Sequence, residues 1–191
     1  MLNVAAQRSP AIEWKQGTAE SLPSPDESFD VVVSQFALMF FADAEKAIRE
    51  MLRVLVSGGR LAVAVWDTLE NNKAYLAETE LLRRTIGEHA ADTIRVPYAF
   101  GDRSALTSLF AGAGLPSATI TTYKGTGRFP SIRSMVEHDL YGWLPIMGVV
   151  PTQDEIDRVL GEAEGALGSY TTPEGKVAFE CSAHIITAKK P

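Results

Sequence analysis

The run Phe29-Asp30-Val31-Val32-Val33-Ser34 constrains the fold more than any other stretch of this chain. Its unbroken β-branched centre suits a strand covered on both faces, and such strands belong to parallel sheets whose crossover helices lie above and below. The next two segments fit that reading. An amphipathic helix starts near Asp43, puts Ile48, Met51, Leu52 and Leu55 on one face, and stops at Ser57-Gly58-Gly59. A second buried strand, Arg60 to Trp66, comes directly after it. Strand, crossover helix and strand in this order predict two parallel neighbours.

The flanking segments extend the pattern. Ala11 to Lys15 reads as a short strand, followed by the turn-rich Ser21 to Ser28. Downstream, a helix-rich middle runs from about Glu70 to Glu88. Asp102 can then cap a helix carrying Leu106, Leu109 and Phe110 that Gly112 or Gly114 ends. A strand is expected at Ala118 to Tyr123, and a helix from Ser131 with Ile132, Met135, Val136 and Leu140 on its apolar face. Another helix begins at Thr152, where Glu155 completes a capping box, and a last strand spans Phe179 to Ala188. The whole predicts a doubly wound α/β sheet with helices on both faces. Its last two strands lack an ordinary crossover helix, which leaves an antiparallel direction open for one of them.

Length and charge narrow the partners. At 191 residues the chain suits one domain, 1–191, with a substantial core. A net charge of −6 with dispersed Lys and Arg opposes a phosphate backbone, so no nucleic-acid partner is expected. No apolar stretch approaches the roughly 20 residues that span a bilayer, so no membrane insertion is expected. Residues 1–16 lack the pattern of a secretory signal, and the expected compartment is the cytoplasm. Cys181 is the single cysteine and reads as a small core residue. His89, His138 and His184 are scattered, so no metal site is expected.

Several pieces carry a family resemblance. Gln16-Gly17-Thr18-Ala19-Glu20-Ser21-Leu22-Pro23 followed by Phe29 to Ser34, and Ala44 to Val56 followed by Gly58-Gly59-Arg60-Leu61, resemble class I S-adenosylmethionine-dependent methyltransferases. The similar subgroup includes the ubiquinone and menaquinone biosynthesis enzymes. Phe100-Gly101-Asp102 to Gly114-Leu115, Arg128-Phe129-Pro130-Ser131 and Ala183 to Lys189 resemble the same group in order and spacing. The resemblance implies a truncated Rossmann-like sheet, made of strands 3, 4, 5, 7 and 6 of the family order, with an α-helical insert at 125–170 covering a substrate. Residues 1–6 look like the helix after the family's second strand. The Gly-rich turn that approaches the methyl donor, and the acidic residue that holds its ribose, are therefore expected to be missing, and donor binding to be impaired.

Site residues come from the same resemblance. S-adenosylmethionine is the implied cofactor, with Thr18, Ala19 and Glu20 reaching its adenine. Thr18 stands where the family usually has Asp, which weakens that contact. Ser34, Gln35 and Phe36, at the carboxyl end of a strand, would flank its methionine portion. The plainer alternatives are an ordinary strand-to-loop exit at 17–20 and a strand end packed on the next helix at 34–36. For a small-molecule acceptor the candidates are Trp66, beside Asp67, and Tyr141 and Trp143 in the insert. His138 and Tyr141, three apart on a helix, are candidates for proton transfer. Trp66 also reads as simply packed, and His138 as a satisfied or exposed histidine. His184 is expected to make a structural hydrogen bond.

The strand Phe29 to Ser34 would be left as an open apolar edge, to be covered by a second copy in a homodimer or by Ala11 to Lys15 sliding beside it. Two other functions compete with an active methyltransferase. One is a non-catalytic methyltransferase-like fragment that folds and dimerises. The other is a nicotinamide-dependent oxidoreductase, disfavoured because the second half lacks a Tyr-x-x-x-Lys arrangement.

Overall fold

The computed structural model describes residues 2–191. Its strands are β1 (Phe29–Gln35), β2 (Leu55–Trp66), β3 (Thr119–Phe129) and β4 (Val177–Lys189), hydrogen-bonded in the order β1-β2-β4-β3. The helices are α1 (Leu2–Arg8), α2 (Ala44–Val54), α3 (Lys73–Thr85), α4 (Glu88–Arg95), α5 (Arg103–Gly112), α6 (Ile132–His138), α7 (Leu144–Ile146) and α8 (Gln153–Leu167). By internal contact the chain divides into two compact units, residues 2–64, 104–120 and 186–191 forming one and residues 65–103 and 121–185 the other.

In the first unit β1 and β2 are parallel neighbours, as their apolar runs predict, with Val31 beside Arg60 and Gln35 beside Ala64. The helix joining them, α2, opens where Asp43 accepts a hydrogen bond from the Lys46 N–H at 2.9 Å. It buries Ala47, Ile48, Met51 and Val54, a helical spacing that packs one stripe inward. Its end comes before the expected glycines. The N–H groups of Glu27 and Ser28 take up the carbonyls of Arg53 and Val54, and Leu55 is already extended and opposite Phe29.

The glycines serve the strand instead. Between the Phe29–Leu55 and Val31–Arg60 pairs the register shifts, so residues 56–59 form a bulge. Gly58 there has φ +76°, and a Cβ on Gly59 would meet the Val56 carbonyl at 2.8 Å. The bulge is tied down by the Gly58 N–H on the Lys190 carbonyl and the Lys190 N–H on the Gly59 carbonyl. In the same unit α5 contributes buried Leu106 and Phe110.

Ala11 to Lys15 forms no strand, which corrects the sequence expectation. Local bonds hold it elsewhere, since the Trp14 indole donates to the Ser9 carbonyl at 3.2 Å and Lys15 pairs with Glu13. β1 stands at the end of the sheet order as an edge strand, and its Phe29, Val31 and Val33 are 42%, 44% and 72% exposed. Met1, part of the expected N-terminal helix, lies outside the described residues.

The second unit is mainly helical. α3 packs on α4 and α8, α6 packs on α8, and the shared core includes Leu81, Leu82, Met135, Leu144, Val159 and Leu167. α8 begins with the predicted capping box, in which Thr152 and Glu155 satisfy each other's backbone N–H. Thr122 bonds His184, Gly125 lies beside Cys181, and Gly127 lies beside Phe179. One index rises as the other falls, so β3 and β4 run antiparallel here, the direction left open by the missing crossover helix. No helix among the described residues is long and apolar enough to cross a membrane.

Candidate functional site

The carboxyl end of β1 is where the first unit departs from regular structure. Phe36 comes after the strand in the left-handed region at φ +50°, uncommon for an aromatic residue, and its N–H donates to the Ala64 carbonyl at 2.9 Å. Unusual backbone of this kind costs free energy and concentrates at ligand sites. Two residues earlier, the Ser34 hydroxyl is buried without a hydrogen-bond partner. An unsatisfied buried hydroxyl costs about 1–3 kcal/mol, and a ligand atom is one way to remove that cost. Gln35 is exposed beside them.

Thr18, Ala19 and Glu20 sit in a tight turn closed by a bridge between Thr18 and Ser21. Thr18 and Ala19 line an open groove of about 560 Å³ together with Lys15, Gly17, Phe29 and Val31. Ser34, Gln35 and Phe36 are not among its lining residues. Glu20 is already engaged. Its own backbone N–H, then those of Asp43 and Ala42, hold its carboxylate below the usual range, with the Asp43 N–H 3.2 Å from Oε1. These amides lie where α2 begins, so Glu20 fastens the turn to a helix N-terminus.

In the second unit Trp66 ends β2 with its ring 6.5 Å from that of Tyr98. Asp67, next to it, is buried. Burial pushes its carboxyl up, but hydrogen bonds from Asn71, Ser182 and the Thr68 N–H, with the nearby His184, hold it below the usual range. His184 bridges three segments: Nε2 lies 2.9 Å from the Gly101 carbonyl and 3.2 Å from Asp67, and Nδ1 lies 2.9 Å from the Thr122 hydroxyl. Since a carbonyl can only accept, Nε2 carries a proton and donates it to Gly101. This is the structural hydrogen bonding expected of His184. Cys181 is partly buried and packs against the helical core.

The helical candidates come out differently from one another. His138 closes α6 with its ring 6.4 Å from Phe129, and Asp139 to Trp143 form a π-helical turn. The wider turn breaks the three-residue spacing that was to align His138 with Tyr141. Both are exposed, Tyr141 at 57%. Trp143 turns inward, donating its indole N–H to the Thr93 carbonyl at 2.8 Å.

Sequence reading overlooked the most unusual chemistry of this unit, which is Glu78 and Asp139, two carboxyl side chains only 0% and 7% exposed. A usable signal existed, because Glu78 shares a helical face with Ala74, Leu81 and Leu82, and Asp139 comes after Met135 and Val136 at the same spacing. Among the described residues no group of His, Cys, Asp and Glu is arranged to hold a metal ion.

Known proteins resemble both sequence and fold. Residues 1–63 match a family model described as a methyltransferase domain. Over 49 residues, 26% of this chain and 19% of the other, the chain is 51% identical to the uncharacterized methyltransferase YcgJ of Bacillus subtilis (strain 168). It is 34% identical over 131 residues to the ubiquinone/menaquinone biosynthesis C-methyltransferase UbiE of Cronobacter sakazakii (strain ATCC BAA-894), covering 61% of this chain and 49% of that protein. The chain thus spans about half the length of the UbiE relatives it matches. The crystal structure of Bacillus subtilis YcgJ shares the fold, with a TM-score of 0.59, 22% identity, and coverage of 100% of this chain and 78% of that one. Residues 1–63 are thus similar in sequence to a methyltransferase domain, and the chain shares the fold of a methyltransferase structure.

Proposed function

We propose that the chain carries out S-adenosylmethionine-dependent methyl transfer to a small molecule, with weakened hold on the donor. The observation that carries this reading is the carboxyl end of β1, where a parallel strand pair delivers an unpartnered buried Ser34 hydroxyl and a left-handed Phe36. In α/β sheets ligands bind at such strand ends. Ser34 supplies a hydrogen bond to the donor's methionine portion, Gln35 and Phe36 flank it, and Thr18 and Ala19 face the adenine.

The fit is partial. Glu20 is spent on the α2 N-terminus, and Thr18 offers only a hydroxyl. The bound donor supplies an electrophilic methyl group. The chain's own part is to place and desolvate the reacting atoms, which needs no fixed catalytic triad. Trp66, Tyr141 and Trp143 are the proposed acceptor-binding residues, and His138 and Tyr141 the proposed proton-handling ones. A cytoplasmic location belongs to the same proposal.

Calorimetric titration with S-adenosylmethionine tests the reading. A dissociation constant from about 0.1 to 1 mM is expected, corresponding to roughly 4–5.5 kcal/mol. No heat at several millimolar donor would reject it. The exposed apolar edge of β1 favours one further reading, a methyltransferase-like protein without catalysis that pairs with a second copy through β1.

A further inference from the structure

The Glu78 and Asp139 carboxyls are buried in the helical unit with no arginine or lysine paired to either among the described residues. Each carboxyl lies close enough to act on the other, and both Glu78 oxygens and Asp139 Oδ2 are buried without a hydrogen-bond partner. Two carboxylates cannot hydrogen-bond each other unless one keeps a proton. A proton kept on Glu78, which has no exposed surface, gives it a bond to donate to Asp139.

Their placement makes that proton structural. Glu78 lies on the buried face of α3, and Asp139 is the first residue of the π-helical turn after α6. Every element packed around the pair bears on it. Tyr75 of α3 and Tyr98 in the turn after α4, both pushed up by burial, are the phenols nearby, Cys181 of β4 is the thiol nearby, and His138 of α6 adjoins Asp139. The charged groups of α4 and α8 are committed elsewhere: Arg95 pairs with Glu88 and Asp92, Glu162 with Arg84, and Arg158 donates to the Thr85 carbonyl. No arginine or lysine among the described residues neutralises the pair.

We propose that Glu78 and Asp139 form a proton-dependent latch, in which one shared proton holds the π-helical turn Asp139–Trp143 onto α3 and its loss releases the turn. Two negative charges close together and away from water repel strongly, so the doubly ionised pair can be relieved only by admitting solvent. A π-helical turn is the natural place to give way, because its backbone is already less regular than the α-helix on either side. The indole of Trp143, anchored on Thr93, reports the closed state.

Titration runs in the direction this requires. Burial is the first cause of both shifts, pushing Asp139 up to about 6 and Glu78 well above the usual carboxylate range. Carboxyls whose folded-state values are raised lend the fold full stability while protonated. That contribution drains away as pH climbs from the unfolded values, near 4, through the folded ones. The closed turn is therefore favoured near pH 5 and opens on the alkaline side. Tyr141 and Trp143 ride on the turn, so opening also exposes the proposed acceptor surface; that last step rests on the proposed acceptor role of these residues, and the latch itself does not.

Hydrogen exchange of peptides covering 139–147, corrected for the intrinsic pH dependence of exchange, tests the latch without any substrate. Wild-type protection should fall about ten-fold or more between pH 5.5 and pH 8.5, while Glu78→Gln/Asp139→Asn should change less than about two-fold over the same range. Equal wild-type protection at both pH values would overturn the proposal, as would an unaltered pH dependence in the double variant. Should the double variant not fold, the wild-type series alone still decides, and Asp139→Asn, which keeps a hydrogen-bond partner for Glu78, repeats the comparison.

Discussion

Gly101 shows how much a single residue position decides in this fold. A Cβ there would lie 2.3 Å from the Thr68 nitrogen and 2.5 Å from the Asp67 carbonyl carbon. Its carbonyl is also the acceptor for His184 Nε2. The missing side chain thus lets two backbone segments touch and lets a buried histidine join them to β3. Gly101→Ala should destabilise the protein by about 1–3 kcal/mol or more, read as a drop in thermal midpoint, because backbone cannot move aside as a flexible side chain does. An unchanged midpoint would show that the contact is slack. The sequence marked Phe100-Gly101-Asp102 through family likeness alone, and the steric reason appears only with Thr68 in place. Glu78 was legible in principle, since a carboxylate on an apolar helix face is anomalous. Its pairing with Asp139 was not, because the two are far apart in the chain.

At the level of elements, β1 and β2 were readable because a β-branched run and a crossover helix leave few alternatives. The α8 start was readable because a capping box is a local device, confined to Thr152 and Glu155. Segments governed by longer-range pairing were less so. Ala11 to Lys15 has strand-like alternation, yet Trp14 bonds to Ser9 instead of entering the sheet. The α2 end was placed too late because its carbonyls are satisfied by Glu27 and Ser28, residues that come before β1 in the chain. The π-helical turn left no periodic trace and undid the expected alignment of His138 with Tyr141.

The bare edge of β1 carries its own consequence. Unpaired N–H and C=O groups flanked by exposed Phe29, Val31 and Val33 form a template for another strand. We expect light scattering to show concentration-dependent dimerisation, and Val33→Lys to shift the dissociation constant at least about ten-fold toward monomer, since a lysine on an edge opposes pairing. A monomer at all concentrations, or a variant that dimerises as well as wild type, would remove β1 as the interface.

For the whole molecule, the fold and the likeness to methyltransferases were largely contained in the order of motifs along the chain, while the ligand chemistry was not. Family likeness placed Thr18 to Glu20 and Ser34 to Phe36 in one donor site. The structure adds which of them have free bonding capacity: the Ser34 hydroxyl is unpartnered, whereas the Glu20 carboxylate is committed to α2. Acceptor recognition is the least legible level, because packing decides which aromatic side chains stay outside, as Tyr141 does, and which turn in, as Trp143 does.

The proposed activity stands or falls with the donor shelf at the end of β1, and amide chemical-shift mapping during titration with S-adenosylhomocysteine addresses that shelf most directly. Shifts that saturate with ligand should appear at Thr18, Ala19, Ser34, Gln35 and Phe36, with residues of the β2 bulge at 56–59 unmoved. Absence of shifts at those five positions at several millimolar ligand, or saturating shifts confined to other parts of the chain, would contradict it.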